Sequence, residues 1–223
     1  MKEKNTREYK EILMSAKIWD FWADRYDRLW VQKHSLGPTR EYILEKLEKL
    51  EKGRNNLLDL GCGPGELLHE IGKRYPKLKL TGVDYSERML EVSRKRNIGA
   101  CHELLDAMHI DRLEGRFDLI TCTHSLPYYR DPKAVLHKLS GLMTMNGRLL
   151  VGFASGDSVF DKVMLAGVKL TTGKANYPSD DEFRKMVKAD FNVLDMKIIK
   201  RAFYMPRIAV YTLSIKTDNR ERC

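Results

Sequence analysis

The stretch Leu57-Leu58-Asp59-Leu60-Gly61-Cys62-Gly63-Pro64-Gly65, with Asp84 closing the next apolar run, constrains this chain more than any other feature. Leu57 to Leu60 is short and apolar, as a buried parallel strand requires. Three glycines then let the backbone turn sharply and approach a ligand with no Cβ in the way. From Gly65 the spacing of Leu67, Leu68 and Ile71 predicts an amphipathic helix. A second strand, Lys79 to Val83, delivers Asp84 nineteen residues after Gly65. An acid at that place in a βαβ unit can accept hydrogen bonds from both ribose hydroxyls of a nucleoside.

The glycine spacing discriminates between nucleosides. A dinucleotide site needs G-x-G-x-x-G, so that a pyrophosphate rests on a helix N-terminus and the third glycine permits close packing. Here Glu66 occupies the third position, and an acid suits a pyrophosphate poorly. The run instead resembles motif I of the class I S-adenosylmethionine-dependent methyltransferases, whose cofactor carries no phosphate.

The alternation around this motif extends the reading. Residues 53 to 153 predict strands near 57–61, 79–84, 99–104, 117–123 and 147–153, with helices between. Such alternation predicts a doubly wound α/β sheet. Residues 1–52 read as helices outside the sheet, a lid or extension; within them Ile43, Leu44, Leu47 and Leu50 make the segment from Thr39 amphipathic. Residues 53–223 would form the cofactor-binding core, with a cap near 155–178. A helix from Ser179 follows, its first turn acidic through Asp180, Asp181 and Glu182. Two strands close the chain, about 191–201 and 208–216, joined near Met205-Pro206.

The resemblance covers about Trp19 to Lys216. Leu104-Leu105-Asp106-Ala107-Met108 looks like the family's acidic loop, and Asn146-Gly147-Arg148 resembles its turn into strand five. Ala23-Asp24-Arg25-Tyr26-Asp27 matches an A-x-x-Y-D element upstream of the core, and Tyr177-Pro178-Ser179 is similar to the tail of ubiquinone/menaquinone-biosynthesis methyltransferases and their broad relatives. The resemblance implies a Rossmann-like, mostly parallel seven-stranded sheet with its last strand antiparallel. It implies S-adenosylmethionine as cofactor, S-adenosylhomocysteine as product and no metal.

Roles follow from chemistry, with the family adding placement. Gly61, Gly63 and Gly65 would admit the methionine part, and Asp59 would accept from its ammonium group. Asp84 would hold the ribose. Tyr85 and Met89 would flank the adenine, although Met89 equally fits the core face of a helix Ser86–Arg96. Asp106 would bond the adenine amino group, with Ala107 and Met108 beside the ring; otherwise Asp106 is a turn or cap acid. Thr123 ends the fourth strand, and Thr123-His124-Ser125 leaves the edge where ligands bind in such folds. His124 is the candidate base, with a loop-satisfied polar residue as its alternative role. Tyr26, Trp22 and His34 would close the pocket. Apolar cap residues Phe160, Val163, Met164, Leu165 and Val168, with Tyr177, suggest an apolar or aromatic small-molecule acceptor.

Composition narrows the remaining classes. With 43% hydrophobic residues among 223, the chain can bury a core of one enzyme-sized domain. No apolar run approaches the ~20 residues of a bilayer span. Met1 to Lys10 is charged and lacks a signal-peptide core, so a cytoplasmic protein is expected. Cysteines 62, 101, 122 and 223 have no metal-ligand spacing. The net charge of +9 would suit an anionic partner, yet basic and acidic residues interleave and no RNA-binding signature is present. The expected function is therefore methyl transfer to a small molecule by in-line displacement. An RNA or protein methyltransferase and a non-catalytic cofactor-binding subunit are the alternatives. Oligomeric state is left open.

Overall fold

Strand β1 (Asn56–Leu60) is buried along four of its five residues, which is possible because it lies between two parallel neighbours. It pairs with β2 (Lys79–Asp84) on one side and β4 (Phe117–Thr123) on the other. The computed structural model describes residues 17, 19–21, 23, 35–172, 175–200 and 205–216. Across it the sheet order is β3-β2-β1-β4-β5-β7-β6, with β3 at Cys101–Leu104, β5 at Met143–Ala154, β6 at Phe191–Ile199 and β7 at Ile208–Ile215. Strands β1 to β5 pair in parallel, and β7 runs antiparallel between β5 and β6. This is the doubly wound arrangement expected, with its last strand reversed.

The helices are α1 (Gly37–Leu50), α2 (Glu66–Arg74), α3 (Glu87–Arg96), α4 (Pro132–Gly141), α5 (Val159–Thr172) and α6 (Asp180–Val187). Several start where the local chemistry dictates. Ser86 caps α3 by accepting from the Met89 amide at 3.1 Å. Asp131 caps α4 through Ala134 at 3.0 Å, with Pro132 in the first turn. Ser179 and Glu182 form a reciprocal capping box on α6.

Alternate strand residues build two cores. Leu57, Leu119 and Leu150 pack with Ile43 and Leu47 of α1 and Leu68 and Ile71 of α2. Leu58, Ile120, Val151 and Phe153 face Val135 and Leu139 of α4 and Phe183 of α6. Helix α1 therefore covers the sheet directly, and its first turn reaches the C-terminal edge of the strands.

Two strand limits change. Strand β3 begins at Cys101, not near 99, and is a short, largely exposed edge. Strand β5 begins at Met143: Asn146-Gly147 is no turn into the strand but part of it, beside a register shift between Phe117 and Leu119. A Cβ at Gly147 would lie 2.8 Å from the Thr144 carbonyl oxygen, so only glycine fits this irregularity. The cap near 155–178 is partly helical, through α5, whose Phe160, Val163 and Met164 are exposed while Leu165 is buried. Among the described residues no helix is long and apolar enough to cross a membrane.

Candidate functional site

The glycine turn after β1 combines two packing glycines with one open one. Gly61, Gly63 and Gly65 have φ of 73°, 52° and 76°, a region that L side chains rarely enter. A Cβ on Gly61 would lie 2.4 Å from Ser125 Cβ, and one on Gly65 would lie 2.1 Å from Ser93 Oγ. A Cβ on Gly63 would meet nothing within 4 Å. Gly65 is thus spent on bringing α2 against α3, while Gly61 and Gly63 border an open cavity.

Asp84, at the end of β2, is only 8% exposed. Its Oδ2 accepts from the Gly63 amide at 2.9 Å and its Oδ1 from the Ser86 amide at 3.0 Å. Burial raises its carboxyl above the usual range, against those amide bonds. The Tyr85 amide also lowers it, and a carboxylate with about four acceptor positions keeps capacity beyond these amides. Asp59, at 2% exposure, accepts from the Thr121 hydroxyl at 2.7 Å. Burial pushes its carboxyl up to about 7, opposed by the Thr121 bond and reinforced by Asp84.

A cavity of about 60 Å³ opens between this turn and α1, bordered by Thr39, Arg40, Asp59, Gly61, Gly63, Thr123 and His124 among others. Among the described residues Arg40 is the one cation lining it, and it pairs with Glu66 of α2 at 2.5 Å. Glu66 also lies 4.0 Å from Arg96, whose guanidinium donates to the Pro64 carbonyl at 3.0 Å. The acid that argues against a pyrophosphate thus holds a guanidinium at the mouth of the turn.

His124 has a φ of 59°, unique among the described non-glycine residues. Its amide donates to Gly152 at 2.6 Å and its Nε2 lies 2.9 Å from Thr39 Oγ1. Burial, with Arg40 adding to it, lowers the imidazole to about 4, so the ring is neutral at pH 7. His124 thus both satisfies a polar contact, with Thr39 of α1, and lines the cavity.

The adenine-side candidates sit along the same strand edge. Asp106 Oδ1 accepts from the Met108 amide at 2.7 Å, the cap role foreseen, with Oδ2 left over. Met89 is 2% exposed and Ala107 is 8% exposed; Tyr85 and Met108 are half-buried. The Cys62 thiol lies buried, and burial raises it well above its ordinary value, which leaves it protonated and unreactive. Tyr26, Trp22 and His34 lie outside the described residues, as does the side chain of Val168. None of the described cap residues lines the cavity.

Sequence reasoning missed Thr39, Arg40 and Asp20. Asp20 Oδ1 accepts from the Ser86 hydroxyl at 2.5 Å, directly beside Asp84. Trp19 stands edge-on to Tyr128 at 5.0 Å, and the Tyr128 and Tyr177 hydroxyls lie 3.2 Å apart. Trp19 and Asp20 therefore each reach a residue at the strand edge.

Comparisons with known proteins converge on one domain. A family model described as a methyltransferase domain matches residues 58–149. The malonyl-(acyl-carrier protein) O-methyltransferase of Legionella pneumophila is 29% identical over 138 residues, which are 60% of this chain and 48% of that protein. The trans-aconitate 2-methyltransferase of an Enterobacter species is 34% identical over 122 residues, 55% of this chain and 48% of that one. The chain thus matches about half the length of these curated relatives. Among solved structures, an N-methyltransferase from Bradyrhizobium japonicum with S-adenosylhomocysteine has a TM-score of 0.73 at 13% identity, covering 91% of this chain and 99% of that one. The magnesium protoporphyrin IX methyltransferase of Synechocystis, also with the homocysteine product bound, has a TM-score of 0.69 at 20% identity, covering 89% and 97%. At these identities the likeness is one of fold.

Proposed function

We infer that this chain, a class I S-adenosylmethionine-dependent methyltransferase, transfers the cofactor's methyl group to a small-molecule acceptor by in-line displacement. The observation that carries the reading is Asp84: backbone amides of the glycine turn and of Ser86 hold its buried carboxylate at the strand end, with acceptor capacity left for ribose hydroxyls.

The rest of the cofactor follows from that anchor. A cavity of about 60 Å³ is far below the ~300–1,000 Å³ of a whole-ligand site, so it suits only the amino-acid end. There Asp59 would face the ammonium group and Arg40 the carboxylate, with Gly61, Gly63 and Thr123 beside the chain between them. The adenosine would lie outside the cavity, along Asp84, Tyr85 and Met89, and reach Asp106, Ala107 and Met108. The leftover Oδ2 of Asp106 suits the adenine amino group. Asp20 and Trp19 would make the N-terminal segment a lid, with Tyr26 contributing from the same segment.

When bound, the cofactor supplies an electrophilic methyl carbon. Displacement by an acceptor would leave the C–S electron pair on sulfur. The chain's part is to align the two and exclude water. The acceptors named for similar proteins run from malonyl-(acyl-carrier protein) to trans-aconitate and magnesium protoporphyrin IX. Acceptor choice therefore belongs to the elements outside the shared core, here the N-terminal segment and the cap.

Calorimetric titration with S-adenosylhomocysteine, with NADH as control, tests the reading. Micromolar binding of the first alone, lost in Asp84→Ala, is expected. Absence of binding to the wild-type chain would overturn it.

A further inference from the structure

The bond between His124 and Thr39 determines where the imidazole carries its proton. Thr39 is fully buried, and its hydroxyl donates to the Ser35 carbonyl, four residues back, at 2.9 Å. A hydroxyl has one proton and two acceptor positions. With that proton committed, Thr39 Oγ1 can only accept from His124, whose Nε2 lies 2.9 Å away. That arrangement assigns His124 the Nε2–H tautomer, with the lone pair on Nδ1. Among the described residues Nδ1 has no hydrogen-bond partner, and His124 lines the cavity together with Arg40, Asp59 and Gly61.

The backbone is arranged to keep it so. A left-handed φ of 59° on a residue with a Cβ costs about 1–2 kcal/mol. Strain of this kind persists where surrounding contacts over-determine it. Here those contacts are the bond from the His124 amide to Gly152 on β5 and the side-chain bond to α1. The ring is thus clamped between the sheet and the first turn of α1.

We propose that Thr39 is a positioning residue that locks His124 as the Nε2–H tautomer, so that Nδ1 accepts the proton of a methyl acceptor arriving as a neutral hydroxyl or amine. The inference rests on the methyltransferase reading and deepens it. As the methyl carbon leaves sulfur with the C–S electron pair remaining there, it bonds to the acceptor oxygen or nitrogen. The proton on that atom moves to Nδ1, giving an imidazolium that later returns the proton to water. A carboxylate acceptor, already ionised, would gain nothing from such a group.

The test is nitrogen NMR of histidine-labelled protein, with His124 identified among the six histidines by its loss in His124→Gln. In the wild type, Nδ1 is expected to resonate as an unprotonated nitrogen and Nε2 as a protonated one. Thr39→Val keeps the shape and removes the acceptor; it is expected to populate both tautomers and draw the two resonances together. Thr39→Ser is expected to restore them, and the wild-type and Thr39→Ser spectra decide the matter even if the valine variant does not fold. With S-adenosylhomocysteine bound, phenol is expected to shift Nδ1 and benzoate to leave it unmoved. A protonated Nδ1 in the wild type, a Thr39→Val spectrum like the wild type, or no phenol shift up to its solubility would overturn the proposal. Calorimetry with S-adenosylhomocysteine on the same samples separates this from failure of the methyltransferase reading, which would abolish that binding and leave the tautomer as it is.

Discussion

The Gly63 amide donates to the Asp84 carboxylate over 2.9 Å, joining two residues twenty-one positions apart into one anchor. The turn and the acid are therefore not separate binding elements: the acid fixes the backbone against which the ligand must lie. Asp84→Ala removes the ribose acceptor and releases the turn together. Two hydrogen bonds to a charged group are each worth about 1.5–3 kcal/mol. The expected loss of S-adenosylhomocysteine affinity is at least ~100-fold, read by calorimetry, with circular dichroism checking that the fold persists. A loss below tenfold would remove Asp84 from the site.

The glycines separate packing from binding. Gly63→Ala and Gly65→Ala both place a Cβ at positive φ, costing about 1–2 kcal/mol. Only at Gly65 does that Cβ also collide, with Ser93 at 2.1 Å and Asn97 at 2.3 Å. Gly65→Ala is expected to lower the melting temperature by roughly 10 °C or more, at 2–4 °C per kcal/mol for a chain of this size. Gly63→Ala is expected to cost only a few degrees yet to abolish cofactor binding. Equal melting temperatures for the two variants would contradict this division.

Asp59 makes both stability and binding depend on pH. Its carboxyl titrates at 3.8 when unperturbed and at about 7 in the folded chain. Between those values the folded chain keeps a proton that the unfolded chain has lost, so stability falls as pH rises through this window, by about 4 kcal/mol in all. Asp59→Asn is expected to stabilise the free protein above pH 7 and to leave it unchanged near pH 4 in thermal melts. Cofactor binding runs the other way, because an ammonium partner favours the ionised acid. Affinity for S-adenosylhomocysteine is expected to fall about tenfold per pH unit below 7, and this slope should vanish in Asp59→Asn.

Arg40 and Glu66 offer a test by ligand truncation. If Arg40 takes the cofactor's carboxylate, Arg40→Gln weakens S-adenosylhomocysteine by about tenfold to a hundredfold, the usual worth of a charge-assisted bond. The same change leaves 5′-methylthioadenosine, which lacks the amino-acid part, unaffected. Glu66→Gln is expected to give the same pattern more weakly, because it only releases the guanidinium from its 2.5 Å pairing. Equal losses for both ligands would instead make Arg40 a purely structural contact between α1 and α2.

What the sequence revealed was what local interactions decide. The apolar run into β1, the glycine turn, the Ser86 cap of α3 and the Ser179–Glu182 box of α6 are all written within a few residues of where they act. The reversed β7 was legible only through resemblance, since its register against β5 is set by long-range pairing. Thr39 and Arg40 were invisible for the same reason: nothing near them in sequence announces that the first turn of α1 docks over a turn some twenty residues later. The division of labour among the three glycines was hidden too, because it depends on Ser93, Asn97 and Ser125 arriving from other elements. The cap residues misled, since α5 turns Val163 and Phe160 outward and buries Leu165.

All three tryptophans of the chain, at positions 19, 22 and 30, belong to the N-terminal segment, so indole fluorescence reports on it without labelling. Trp19 touches Tyr128, and Asp20 takes the Ser86 hydroxyl beside the ribose acid. A ligand beneath these contacts would hold the segment down. Saturation with S-adenosylhomocysteine is therefore expected to shift the tryptophan emission and to slow hydrogen exchange across residues 15–35. Asp20→Asn keeps the shape but weakens the bond to Ser86; it should reduce affinity several-fold and diminish both signals, while the same ligand still slows exchange at the glycine turn. Unchanged emission and unchanged exchange over residues 15–35, with the ligand bound, would remove the lid and leave the segment as a fixed cover of the sheet.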